Sequence, residues 1–280
     1  MSDEIYLNKS QEQKDYYNQT ASSYDRWHID PASAKVVDLW NFDNLAKFLA
    51  NKKITKALEL GSGTGRLANN LFKIAKNVYG IDASEAVLKI AQEKYPQLKL
   101  TCGEVVNLPY QNNFFDLVII NGSLHHFFAV EKTFQEAYRV LKPGGAFVLL
   151  GEPSSQFLKA YNPFFYFWVL NRLVAKIFSL LFGQKFNNEI IEPDAESYKP
   201  WLLKKQLQKA GFYTHAFYTY DYFNRSNNKL WLKIYRSYLN FENKTIAKIF
   251  PYLGMAIQAF TIKKLTPHLL PGDKIIKDNN

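Results

Sequence analysis

The sequence predicts an α/β protein with a mostly parallel sheet, helices on both faces, and a helical, aromatic-rich lid. Three observations carry this expectation. Short apolar runs alternate with helical patterns between residues 56 and 151, the mark of parallel strands joined by crossover helices. One run, Phe114-Phe115-Asp116-Leu117-Val118-Ile119-Ile120, is almost unbroken in its apolarity, as a strand covered on both faces is. The first strand also ends in a glycine turn, Leu58-Glu59-Leu60-Gly61-Ser62-Gly63-Thr64-Gly65-Arg66, where such sheets receive their ligands.

Taken in order, Ser10-Gln11-Glu12-Gln13 reads as a capping box opening a helix through Tyr16 and Tyr17. Asp30-Pro31 starts a second helix running to about Asn51, with proline at its first position. The core alternation follows: strand 56–60, helix 65–75, strand 77–81, helix 85–95, strand 98–102, strand 115–120, helix 130–141 and strand 146–151. Asp82 or Ser84 is placed to cap the helix that begins at Glu85.

Composition limits the function classes. A chain of 280 residues can bury one substantial core, or one core plus a cap, and does not demand two independent domains. Its single cysteine, Cys102, excludes a disulfide framework and a cysteine metal cluster, so no metal site is expected. A reducing cytosol suits that usage, and Cys102 is expected as a buried structural thiol. The polar, acidic start MSDEIYLNKSQEQKD does not read as a signal peptide. Residues 1–152 hold 17 Lys/Arg and 17 Asp/Glu, whereas residues 153–280 hold 18 and 8. The whole surplus of +10 therefore lies in the second half, pointing to an anionic partner or simply to a solubilised aromatic surface.

The glycine turn selects among ligands. A dinucleotide turn places its third glycine where this chain has Arg66. Here Glu59 precedes glycines at 61, 63 and 65. The pattern acid-x-Gly-x-Gly-x-Gly resembles the first motif of the class I S-adenosylmethionine-dependent methyltransferases. That resemblance implies a Rossmann-like, seven-stranded, mostly parallel sheet and S-adenosylmethionine as cofactor, converted to S-adenosylhomocysteine. The cofactor carries no phosphate but does carry an ammonium, which an acid near the turn helps to hold. Gly61, Ser62 and Gly63 are the expected turn residues beside Glu59. Asp82, at the end of Asn77-Val78-Tyr79-Gly80-Ile81, is expected to accept the ribose hydroxyls, with Ala83 next to it.

The resemblance extends to Gly103-Glu104-Val105, where an acid and the next backbone N–H meet the adenine. It includes Asn121, expected near the methionine end, and the run Leu141-Lys142-Pro143-Gly144-Gly145. Tyr17 and Tyr24 fall where many small-molecule members carry a lid over the cofactor. The likeness resumes at Trp201-Leu202-Leu203 through Ala210-Gly211-Phe212. It implies a strand at 213–219 and a last, antiparallel strand near Ala259 to Lys264. The expected division is a lid at 1–34, a cofactor-binding core at 35–153, insertions at 154–196 and 222–256 forming an acceptor cap, and sheet completion at 197–221 and 257–264.

The insertions bear on the acceptor. Asn162-Pro163 opens an apolar run to Phe182 of roughly bilayer-spanning length. Arg172 and Lys176 within it argue instead for a buried cap helix or one lying on a membrane surface. Between Asn227 and Phe241, Lys229, Lys233, Arg236 and Asn240 share one helical face. Leu230, Ile234, Tyr238 and Phe241 share another, expected to pack inward, and a helix is expected from Lys244 to Tyr252. A lipophilic small molecule (natural product, quinone or lipid-like) is the expected acceptor, with peripheral contact to an anionic membrane as a further expectation.

His125, His126 and Glu152 stand at strand ends as candidate proton acceptors, or as packing groups for the cofactor. Nucleic acid is not expected as partner. The Asn-Pro-Pro-Tyr type of sequence is absent, Cys102 is misplaced for pyrimidine C5 chemistry, and no recognition module is appended. A non-catalytic or cyclase-like S-adenosylmethionine-binding protein is the alternative.

Overall fold

The computed structural model describes residues 3–23, 32–156, 159, 161–166, 169, 170, 173, 197–221 and 229–265. Seven strands form one sheet: β1 (Ile54–Leu60), β2 (Ala75–Asp82), β3 (Lys99–Cys102), β4 (Phe115–Asn121), β5 (Leu141–Pro153), β6 (Phe212–Tyr220) and β7 (Ala256–Lys263). Their order is β3-β2-β1-β4-β5-β7-β6. The first five pair in parallel, and β7 runs antiparallel to both β5 and β6.

Alternation along each strand divides the core. Leu58, Leu60, Val118, Ile120, Phe147 and Leu149 face one side, where α5 (Val130–Val140) adds Phe134 and Ala137 and α6 (Pro200–Lys209) adds Leu203 and Leu207. Ala57, Leu117, Ile119, Val148 and Leu150 face the other, against Leu45 of α2 (Ala32–Phe48) and Ala68 and Leu71 of α3 (Arg66–Leu71). Both faces of the central strands are thus covered, which is why β4 needs no polar alternation. The helix α4 (Glu85–Lys94) is capped by Ser84, whose Oγ accepts from the Val87 N–H at 3.2 Å.

Several boundaries move for physical reasons. The first helix, α1, spans Asp3–Thr20, so Ser10 lies inside it rather than at a cap. Its hydroxyl donates instead to Glu104 Oε1 at 2.8 Å. The helix expected over 65–75 stops at Leu71, where the N–H groups of Phe72 and Lys73 reach back only three residues. Ala75 already pairs with Ile54 in β2. β5 enters directly after Val140 and runs to Pro153, longer than 146–151, with an irregularity between Leu149 and Glu152 that contains Gly151 at φ 74°. Cys102 is exposed rather than buried, because β3 is an edge strand.

The insertions differ most from expectation. Asn162 does cap the helical turn 163–166, its Oδ1 accepting from the Phe164 N–H at 3.0 Å. Beyond it, 167, 168, 171, 172 and 174–196 lie outside the described residues. So do Tyr24 and the rest of 24–31, residues 222–228, and the side chains of Lys229 and Leu230. The helix α7 (Lys229–Lys244) buries Tyr235, Leu239 and Glu242, not the face expected. Ile234 and Phe241 are 51% and 57% exposed. Polar anchors set that rotation. Glu242 accepts from the Asp221 N–H at 3.0 Å and from the Tyr238 hydroxyl. Arg236 pairs with Asp43, and the Trp40 indole donates to Asn240 at 3.0 Å. The helix expected from Lys244 to Tyr252 is a single turn, α8 (Ile246–Ile249).

Candidate functional site

A cleft opens above the carboxyl ends of β1, β2 and β4, roofed by α1. Gly61 and Gly63 line its floor at φ 66° and 51°, in the left-handed region that glycine enters without strain. At Gly61 close approach matters too, since a Cβ would stand 2.7 Å from Ser123 Oγ. Ser123 is itself fixed, donating to the Leu60 carbonyl at 3.0 Å. The turn is therefore packed between β1 and the segment after β4.

Asp82 lines the same cleft and ties the turn to β2. Its Oδ2 accepts from the Gly63 N–H at 2.9 Å and its Oδ1 from the Ser84 N–H at 3.0 Å. Burial raises its pKa, backbone N–H groups of Ser84, Gly63 and Ala83 oppose the rise, and the charge of Glu104 adds to it. Ala83, Glu104, Val105 and Asn121 also face the cleft. Three strand ends thus deliver Asp82, Glu104 and Asn121 to one space.

Glu59 stands apart, 3% exposed and not on the cleft wall. It accepts a hydrogen bond from the Ala68 N–H in the first turn of α3, whose N-cap Gly65 offers no side chain. Burial pushes its carboxyl well above the ordinary range, with the charge of Asp82 adding to the rise. Its Oε2 is buried with no hydrogen-bond partner among the described residues, as is Ser62 Oγ. An unmatched buried carboxyl oxygen beneath a glycine turn leaves room for a further hydrogen-bond donor.

The histidines separate. His126 lines the cleft, and its Nε2 lies 2.9 Å from the Tyr17 hydroxyl. His125 and Glu152 stand behind it. Glu152 is fully buried and accepts from the N–H groups of Ser123, Leu124 and His125 at 3.1, 3.0 and 3.2 Å. It also meets His125 Nδ1 at 3.1 Å. That carboxylate is occupied in folding the short helix Leu124–His126 against β5. The His125 and His126 rings are 4.0 Å apart, and Glu152 itself is not on the cleft wall.

Beside the expected Tyr17, part of the roof was not anticipated. Ser10, Gln13, Lys14 and Tyr17 all face the cleft. They recur at i, i+3, i+4 and i+7, one side of a helix, and that polar periodicity was available in the sequence. Asn18 completes the docking by accepting from Ser84 Oγ at 2.8 Å.

Sheet order, glycine turn and strand-end acids together define a Rossmann-like, nucleoside-binding methyltransferase fold. The family model described as a methyltransferase domain matches residues 58–149, from the end of β1 to the middle of β5. The chain is 30% identical over 205 residues to 2-phytyl-1,4-naphtoquinone methyltransferase of Nostoc punctiforme, covering 69% of this chain and 85% of that one. It is 27% identical over 178 residues to demethylmenaquinone methyltransferase of Chlorobaculum tepidum, covering 62% and 74%. The fold matches magnesium protoporphyrin IX methyltransferase from Synechocystis, solved with S-adenosylhomocysteine, at a TM-score of 0.56 and 16% identity over 91% of this chain and all of that one. The chain belongs to the class I S-adenosylmethionine-dependent methyltransferases, and S-adenosylmethionine is its methyl donor. Among the described residues no helix is long and apolar enough to cross a membrane.

The residues present fit that cofactor. Glu59 has a carboxylate oxygen to spare. Gly61 and Gly63 put backbone on the cleft floor, and Asp82 and Glu104 stand at successive strand ends as acceptors for hydroxyl and amino donors.

Proposed function

We propose that this enzyme methylates a lipophilic, quinone-type acceptor in its reduced form. The observation that carries the reading is the pair of relatives named for quinone acceptors, one aligned over 85% of its own length. When bound, S-adenosylmethionine supplies an already activated methyl group. The chain's own residues then have to hold, orient and shield.

In this reading Glu59, Gly61, Ser62 and Gly63 receive the amino-acid end, and Asp82 with Ala83 receives the ribose. Glu104 and Val105 receive the base, and Asn121 stands beside the methionine end. Tyr17 closes over them from α1, and Tyr24 is assigned a similar part. The insertions at 154–196 and 222–256 form the acceptor cap. Held by these residues, S-adenosylmethionine would supply the methyl to an acceptor ring carbon and be released as S-adenosylhomocysteine, and that ring carbon would then have a proton to lose. His126 is the cleft-facing group suited to take that proton. His125 and Glu152 serve as positioning residues that fix the imidazole of His126 through the short helix they hold.

Peripheral contact with an anionic membrane, where such acceptors reside, is part of the proposal. The test is incubation of the purified chain with S-adenosylmethionine and a reduced naphthoquinone lacking its ring methyl. Stoichiometric S-adenosylhomocysteine and methylated quinol are expected. Absence of a methylated product across a panel of quinols would remove the quinone from the reading.

A further inference from the structure

From the exposed side chains of α7 and α8 we infer a membrane-docking face: Ile234, Phe241 and Ile249 enter the interface of an anionic bilayer while Lys233, Lys244 and Lys248 meet its headgroups. This face rests on the proposed lipophilic acceptor and specifies where the protein meets the phase that carries it.

One side of α7 is used up in folding. Tyr235, Leu239 and Glu242 turn inward, and Arg236 and Asn240 are engaged by Asp43 and Trp40. The basic face legible in the sequence is therefore partly consumed. What remains outward is different in composition. Ile234 and Phe241, seven residues apart, fall on one side of the helix, 51% and 57% exposed. Lys233 and Lys244 flank them, both exposed. α8 continues the pattern past the turn at Thr245, with Ile249 70% exposed beside exposed Lys248.

Charge selects the occupant. Among the described residues after 153, the only carboxylates are Asp221 and Glu242, and both are fully buried. The described surface of that half therefore presents lysines with no acid of its own. A soluble surface ordinarily mixes both signs and hides its large aliphatic groups. Protruding Ile and Phe between lysines suit a lipid interface instead, where apolar groups enter the acyl boundary and lysine stems lie along it with the ammonium raised to phosphate. The neighbouring insertion carries the same character, with Tyr166, Val169, Leu170 and Leu173 all more than 40% exposed at i, i+3, i+4 and i+7.

The test is co-sedimentation of the full chain with phosphatidylcholine vesicles and with vesicles containing phosphatidylglycerol, at low and high salt. Turnover of a water-soluble short-chain quinol is measured in parallel. Binding to the anionic vesicles alone, weakened by salt, is expected. The triple variant Lys233→Glu, Lys244→Glu, Lys248→Glu should weaken it on the order of 100-fold. Ile234→Asp with Phe241→Asp should also abolish sedimentation, and both variants should bind S-adenosylmethionine with wild-type affinity, since none of these residues lines the cofactor cleft. Equal binding by variants and wild type, or no vesicle binding, overturns the docking face. So does a wild-type dimer that Ile234→Asp dissociates, or capture of an acidic polypeptide in preference to vesicles. Soluble-quinol turnover that persists in those cases leaves the proposed reaction standing. Vesicle binding without turnover of any quinol would sink the reaction and not the face.

Discussion

The hydroxyl of Tyr17 lies 2.9 Å from Nε2 of His126, joining α1 to the segment after β4 across 109 positions of sequence. The rings meet edge to face, 5.4 Å between centroids. Together with Ser10 on Glu104 and Asn18 on Ser84, this contact holds the roof on the cleft.

Tyr17→Phe removes the hydrogen bond and keeps the ring contact. A loss of about 1 kcal/mol is expected, read as a roughly fivefold rise in the dissociation constant for S-adenosylmethionine by calorimetry. Ser10→Ala combined with Tyr17→Phe should weaken binding further, since both tether the same helix. Unchanged affinity in the double variant would dissociate α1 from cofactor retention.

Glu59 and Asp82 both have raised folded pKa values, chiefly from burial. The folded state then holds protons that the unfolded chain has already released. Stability is therefore fullest below the ordinary carboxylate range and falls as pH rises through the raised values. Cofactor-free melting temperatures should decline over that interval. Glu59→Gln, which still accepts from the Ala68 N–H, should flatten the decline while weakening S-adenosylmethionine binding at neutral pH. If the Glu59→Gln variant kept the wild-type pH profile, Glu59 would not be the source of the decline.

Gly61→Ala meets two obstacles at once, a φ of 66° and a Cβ 2.7 Å from Ser123 Oγ. The conformation alone costs about 1–2 kcal/mol. The double variant with Ser123→Ala should recover only the Oγ part of the clash, since the Cβ of residue 123 would still stand 2.8 Å away, leaving stability below wild type in thermal unfolding. Full recovery would show that the backbone conformation carries no penalty.

Glu152→Gln places an amide donor among three N–H groups and so orphans at least one buried donor. A destabilisation of about 1–3 kcal/mol is expected in denaturant unfolding. His126→Ala, at the cleft wall, should lower kcat with a smaller stability loss. If Glu152→Gln impaired turnover while leaving the unfolding midpoint intact, the carboxylate would belong to the chemistry rather than to positioning.

Much of this was legible because it is local. The glycines, Asp82, Glu104 and Asn121 are each fixed by the strand they terminate, and strand ends are readable from apolar runs. Partnerships between distant segments were not. Ser10 reads as a cap because Glu12 and Gln13 follow it, yet its use is decided by Glu104, far along the chain. Ile234 and Phe241 read as the inward face of α7 by hydrophobicity, but a buried carboxylate, Glu242, outweighs them once Asp221 supplies its N–H. Periodicity ranks faces by apolar content and does not register a polar anchor. The break of α3 at Leu71 was hidden for a similar reason. Phe72 to Ala75 suit a helix intrinsically, and only the pairing of Ala75 with Ile54 pulls them into β2.

The placement of β7 has a consequence for biosynthesis. This strand is made last of the seven, yet it sits between β5 and β6 and contributes Ile257, Ala259 and Phe260 to the interior. While residues 256–263 are still within the ribosome, the nascent sheet has an open seam at the place where its later closure must occur. Unpaired seams recruit other extended chains. Until Ala256 and the residues after it emerge, β5 and β6 therefore both await the strand that joins them.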